Sequence, residues 1–93
     1  MSPDLDLQVR PILAKRARLQ TDPVSGKPLL LYPEGLLILN DTAHAIVRRC
    51  NGVFSIAGIL EQLADEYGAK AEDLQPDVLQ YLQELRQRQL VTF

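Results

Sequence analysis

The stretch Leu29-Leu30-Leu31-Tyr32-Pro33-Glu34-Gly35-Leu36-Leu37-Ile38-Leu39-Asn40-Asp41-Thr42-Ala43-His44-Ala45-Ile46-Val47-Arg48-Arg49-Cys50 decides the fold. Two apolar runs, Leu29–Tyr32 and Leu36–Leu39, flank Pro33-Glu34-Gly35. Proline presets φ for the first corner of a type I turn, and glycine two positions on accepts φ > 0. The pattern predicts a hairpin built on a type I turn followed by a left-handed glycine in a bulge. Asn40 and Asp41 then offer helix N-caps. Ala43, Ile46, Val47 and Cys50 follow on one side at helical spacing. A two-stranded ribbon therefore runs straight into a helix.

The two strands are apolar at every position, where a half-buried strand alternates apolar and polar. A chain this short cannot cover a sheet on both faces. Some of these leucines must stay uncovered on one face or edge, which is an aggregation hazard unless something pairs with them. A partner strand or a second copy of the chain would satisfy both the backbone and the leucines. Alternatively, the N-terminal arm folds over them.

Outward from that stretch, residues 1–9 read as a loose arm without period, leaving residues 10–93 as the domain. Arg10-Pro11-Ile12-Leu13 is extended, since proline biases its predecessor away from helix, and Ile12 and Leu13 are placed to tack the arm onto the body. Lys15–Thr21 reads as a strand with Ala17 and Leu19 on one face. The turn-rich Asp22–Pro28 connects it to Leu29, giving a three-stranded antiparallel meander. Downstream, Asn51-Gly52 stops the first helix at about Cys50. Ser55 caps a second, with Phe54 and Ile59 as a hydrophobic staple and Gly68 as its stop. A third runs from about Asp73 to Arg88 with Pro76 in its first turn. Its inner face is Leu74, Val78, Leu82 and Leu85, with Leu79 and Tyr81 on the shoulders, and Leu90–Phe93 is a β-prone tail. The fold class expected is α+β: a small winged-helix-like domain, a three-stranded antiparallel sheet followed by three helices.

Ninety-three residues with 46% apolar content make one globular domain. Residues 1–49 carry seven basic and five acidic side chains, and residues 50–93 carry three and seven, for a net charge of −2. That balance argues against a nucleic-acid protein. A single cysteine excludes an internal disulfide, and no apolar run approaches membrane-spanning length, so a cytoplasmic chain without membrane partners is expected.

Catalytic material is nearly missing. His44 stands alone between alanines, Cys50 lies on an inner helical stripe, and one histidine plus one cysteine cannot assemble an ordinary nitrogen–sulfur metal site. Glu61, Asp65, Glu66, Asp77 and Glu84 fall on polar helix faces, which are solvated by default. No phosphate loop or nucleophile elbow occurs. Neither enzymatic turnover nor a cofactor is expected. The helix–turn–helix pair invites a second reading, a winged-helix DNA-binding regulator. The presumed recognition helix begins with Glu72, Asp73 and Asp77, which would repel phosphate, and its arginines sit at the far end.

The succession Arg18-Leu19-Gln20, Leu31-Tyr32-Pro33-Glu34-Gly35, Leu39-Asn40, then Ala43, Ile46, Cys50 and Gly52, resembles the coenzyme PQQ synthesis protein D (PqqD) family, from about Arg10 to Val91. Thr21–Lys27 and Pro76 depart from the family's commoner pattern. The resemblance implies a peptide chaperone of pyrroloquinoline quinone biosynthesis. It would bind the precursor peptide PqqA and present it to the radical S-adenosylmethionine enzyme PqqE. The same module, a precursor-peptide recognition element, takes the peptide as a strand added to the third strand of its sheet, beside the third helix. On this sequence that implies Leu36, Leu37, Ile38 and Leu39, with Val78, Tyr81, Leu82 and Leu85 from the helix. Alternation separates Leu37 and Leu39 from Leu36 and Ile38, and the first pair is expected to face the peptide. Tyr81 and Leu85 are expected to form the groove wall, with Val78 and Leu82 nearer the core. The uncovered edge also predicts dimerisation or strand exchange when no peptide is bound.

Overall fold

The apolar hairpin forms, and the helices pack on one face of the sheet that contains it. The structure, a computed structural model, describes residues 6–93; residues 1–5 of the expected arm lie outside them. A short strand β1 (Ile12–Leu13) precedes the meander β2 (Arg18–Thr21), β3 (Pro28–Tyr32) and β4 (Gly35–Ile38). Helices α1 (Asp41–Val47), α2 (Ile56–Tyr67) and α3 (Ala71–Gln87) follow, and β5 (Val91–Thr92) comes last. The three meander strands pair antiparallel in the order β2-β3-β4, and β1 pairs with β5 in a second, two-stranded sheet. This is the expected α+β arrangement, a three-stranded antiparallel sheet followed by three helices, with one added pairing. Ile12 stands opposite Thr92 and Leu13 opposite Val91.

The turn differs from expectation. Gly35 has φ 159° and pairs opposite Tyr32, so Pro33-Glu34 is a two-residue turn and no left-handed bulge forms. A type I turn twists against the flanking strands, and the freedom of glycine at the first strand position absorbs the mismatch.

Local chemistry sets the helix ends. Asn40 Oδ1 accepts from the Ala43 N–H at 2.8 Å, and Ser55 Oγ accepts from the Gly58 N–H at 3.0 Å. Gly68 stops α2 in the left-handed region, φ 63°. The first helix ends at Val47, earlier than the expected Cys50, because the chain tightens there. The Arg49 and Cys50 N–H groups reach back three residues, to the carbonyls of Ile46 (3.1 Å) and Val47 (3.0 Å). Cys50 and Gly52 then bond to the β1 region, Leu13 N–H to the Cys50 carbonyl at 2.9 Å and Gly52 N–H to the Pro11 carbonyl at 3.0 Å. The third helix begins at Ala71, so Pro76 lies in its second turn rather than its first. It is tolerated because Glu72, whose carbonyl would have taken the missing N–H, is exposed.

One core fills the space between sheet and helices. Leu30, Ile46, Ile56, Ile59, Leu82 and Leu90 are among its fully buried side chains. Arg49, only 8% exposed, ties α1 to α2: it donates to the Ala45 carbonyl (2.8 Å), Gln62 Oε1 (2.9 Å) and Glu66 Oε2 (2.8 Å). The described part of the arm is docked. The Val9 and Leu7 carbonyls accept from the Ile56 and Ala57 N–H groups, at 3.0 and 2.9 Å, satisfying donors that a helix start leaves without partners. No helix among the described residues is long and apolar enough to cross a membrane.

Candidate functional site

The sheet has two edges, and β4 is the one beside α3. Its register with β3 sets Leu29 opposite Ile38, Leu30 opposite Leu37, Leu31 opposite Leu36 and Tyr32 opposite Gly35. In an antiparallel ladder, hydrogen-bonded and non-bonded pairs alternate. The Leu39 N–H donates to the Pro28 carbonyl at 3.0 Å, which fixes the phase. Gly35, Leu37 and Leu39 therefore bond inward to β3. The N–H and C=O groups of Leu36 and Ile38 point outward, away from the sheet.

Side chains follow the same alternation. Leu37 is half-buried against the core and Leu39 is 4% exposed within it. Leu36 and Ile38 stand on the open face, 49% and 66% exposed, beside half-buried Leu29 and Leu31. The residues expected to face a peptide thus divide. Leu37 lines the groove, whereas Leu39 lies in the core because alternation through Leu37 carries it inward. The described arm residues sit at the start of α2 and leave the open face uncovered.

An open groove of about 190 Å³ lies between β4 and α3. Leu37, Ile38 and Asn40 line it from the β4 side; Tyr81, Glu84, Leu85 and Arg88 line it from the α3 side. A second hollow of about 190 Å³ continues past Ala43 between α1 and α3, with Thr42 and Ile46 facing Asp77 and Tyr81. Asn40, Ala43 and Tyr81 line both, so the two form one run. Val78 and Leu82 are buried beneath it in the core, while Leu85, although 1% exposed, contributes to its floor.

The groove's electrostatics come from α3. Asp77, Tyr81, Glu84 and Arg88 form one stripe down its flank at helical spacing. Burial raises the pKa of the Tyr81 phenol, and the Glu84 carboxylate adds to the shift while Arg88 opposes it. The described ion pairs are Arg16–Glu34, Arg48–Glu66 and Arg49–Glu66, so none involves Asp77, Glu84 or Arg88. From sequence, Asp77 and Glu84 read as solvated surface and Arg88 only as an arginine at the far end of the helix. The signal that finds them is the continuation, by three and four residues, of the stripe through Tyr81. Cys50 lies apart: its thiol donates to the Ile46 carbonyl at 3.3 Å, and burial pushes its pKa up to about 12.

A small sheet with an open strand edge and a groove between that edge and the last long helix define a class of binding module. Residues 29–91 match the family model of coenzyme PQQ synthesis protein D. The chain belongs to the PqqD family. It is 34% identical over 83 residues to a PqqA binding protein of Methylococcus capsulatus, spanning 89% of this chain and 83% of that one. It is 37% identical over 78 residues to that of Azotobacter vinelandii, spanning 84% of each. The solution structure of the PqqD part of Methylobacterium extorquens PqqCD superposes with a TM-score of 0.75 at 30% identity, over 89% of this chain and 88% of that one. That protein is described as a functional, stand-alone recognition element for ribosomally synthesised, post-translationally modified peptides. Crystalline PqqD of Xanthomonas campestris gives a TM-score of 0.60 at 32% identity, over 100% and 99%.

Proposed function

We propose that this chain is a peptide-binding module without turnover of its own, which takes the precursor peptide PqqA as a strand added to β4 and presents it to the radical S-adenosylmethionine enzyme PqqE. One observation carries the reading: the outward main-chain groups of Leu36 and Ile38 border a groove floored by Leu37 and Leu85. Strand addition needs both parts, because main-chain bonds supply affinity with little sequence information and the groove supplies selection. Relatives named for PqqA binding support the choice of peptide. The acidic start of α3 weighs against the DNA-binding alternative. In the absence of peptide the same edge pairs with a second copy of the chain, so dimerisation and peptide binding compete.

Amide chemical-shift mapping with a synthetic PqqA peptide tests this reading. Perturbations are expected along Gly35–Asn40 and on the Tyr81–Arg88 flank. Perturbations confined to residues remote from both would refute it. Binding should change little with salt, whereas phosphate binding would collapse.

A further inference from the structure

We propose, resting on the strand-addition reading above, that Glu84 and Arg88 are specificity determinants: they select a peptide whose groove-side residues at positions i and i+2 carry opposite charges. Both side chains line the groove against Leu37 and Ile38, both are exposed, and neither makes an ion pair or side-chain hydrogen bond among the described residues. An unpartnered acid and base on the wall of a binding groove offer complementary charge to whatever lies there.

The spacing suits a strand. Four residues of α-helix rise by about 6 Å between Glu84 and Arg88. Same-face residues of a strand, two apart, are about 6.8 Å apart. A strand on β4 alternates its side chains, one set toward α3 and one toward the open face. Two successive groove-side residues can therefore stand beside the Glu84 carboxylate and the Arg88 guanidinium together, a base at the first and an acid at the second. Asp77 extends the negative end of the stripe toward α1, next to Thr42 and Ile46. Tyr81 and Leu85 between the charges receive an apolar part of the same peptide. The outward main-chain groups of Leu36 and Ile38 do not distinguish one peptide from another, so this selection falls to side chains on α3.

The effect is modest and salt-sensitive. Exposed charge pairs contribute little each, so reversing one charge is expected to weaken binding about two- to fivefold. Reversing both should give roughly tenfold, with the preference shrinking as salt rises while binding itself persists.

The test is a double-mutant cycle on the full chain. A synthetic PqqA peptide and variants reversing each of its charged residues in turn are titrated against wild type, Glu84→Arg, Arg88→Glu and the double swap. Glu84→Gln and Arg88→Gln serve as milder variants, and amide spectra check that all remain folded. The expected result is coupling of Glu84 to one basic peptide residue and of Arg88 to one acidic residue two positions away, with the double swap preferring the charge-reversed peptide. Normal peptide binding with no coupling at any position would overturn this inference and leave strand addition intact. Failure of every peptide to bind wild type would overturn strand addition and this inference with it.

Discussion

Proline placed at two neighbouring positions of β4 separates the strand's two hydrogen-bonding sides. Ile38 directs its N–H outward, and Leu37 directs its N–H to β3 opposite Leu30. Ile38→Pro removes a donor that water serves in the free chain, so folding should be little affected. Peptide binding should lose one main-chain hydrogen bond, about 0.5–1.5 kcal/mol, or roughly two- to twelvefold in affinity. Ile38→Thr keeps the N–H and controls for the lost side chain. Leu37→Pro instead removes a ladder bond and leaves the carbonyl of Leu30 without its donor, in a residue that is fully buried. An unsatisfied buried acceptor costs about 1–3 kcal/mol, and lost Leu37 packing adds to it. A domain of this size shifts its melting temperature by about 4–8 °C per kcal/mol, so Leu37→Pro should melt roughly 4–24 °C lower from the lost bond alone. Thermal melts followed by circular dichroism and calorimetric titration with PqqA give both numbers. Equal melts for Leu37→Pro and wild type, or full affinity in Ile38→Pro, would refute the assigned phase of the strand.

Gly52 holds φ 79°, and a Cβ there would lie 3.3 Å from Ile12 Cδ1; Gly52→Val should cost about 1–3 kcal/mol in local strain alone, read as a lower melting temperature. The Cys50 thiol, buried and with its pKa pushed up to about 12, should resist alkylation at pH 8 in the folded chain and react promptly in denaturant, as mass spectrometry would record. Tyr81 has a raised pKa in the fold, chiefly through burial and then Glu84, so its contribution to stability is complete below the unfolded phenol's value of about 10 and declines as pH rises above it; melts at pH 9 and 11 should differ, and Tyr81→Phe should reduce the difference. Sedimentation over a wide concentration range should find dimers that PqqA dissociates, and a chain that remains monomeric well above micromolar would remove the proposed competition.

What was legible in the sequence was local. Asn40, Ser55 and Gly68 carry their cap and stop chemistry in their own side chains or lack of one, and each sits where it was expected. The meander was legible because its turns are marked by Pro33-Glu34-Gly35 and by Asp22–Gly26. The β1–β5 pairing was not: two residues define no period, and Ile12 and its partner Thr92 lie near opposite ends of the chain. The phase of β4 was hidden for a different reason. Alternation between Leu37 and Ile38 follows from the strand, but when every position is apolar nothing in composition says which set faces in. Burial of Leu30 and the bond from Leu39 to Pro28 decide it. Glu84 reads as solvated from sequence because charge usually is, and only the placement of α3 beside β4 turns the face it shares with Arg88 into a groove wall.

The shortness of β4 has an energetic consequence for any ligand that adds to it. Two residues, Leu36 and Ile38, each offer one outward N–H and one outward C=O. At about 0.5–1.5 kcal/mol net per hydrogen bond, complete pairing supplies roughly 2–6 kcal/mol. Micromolar affinity corresponds to about 8 kcal/mol, and association also costs at least about 4 kcal/mol in lost freedom. Main-chain pairing alone therefore cannot hold a peptide. Burying one leucine-sized side chain against Leu37, Tyr81 and Leu85 adds about 1.5–3 kcal/mol, and further contacts along the hollow toward Asp77 must supply the rest. Under the proposed strand addition, recognition is consequently a property of the strand and helix together: the edge sets where a peptide lies, and the α3 flank decides whether it stays.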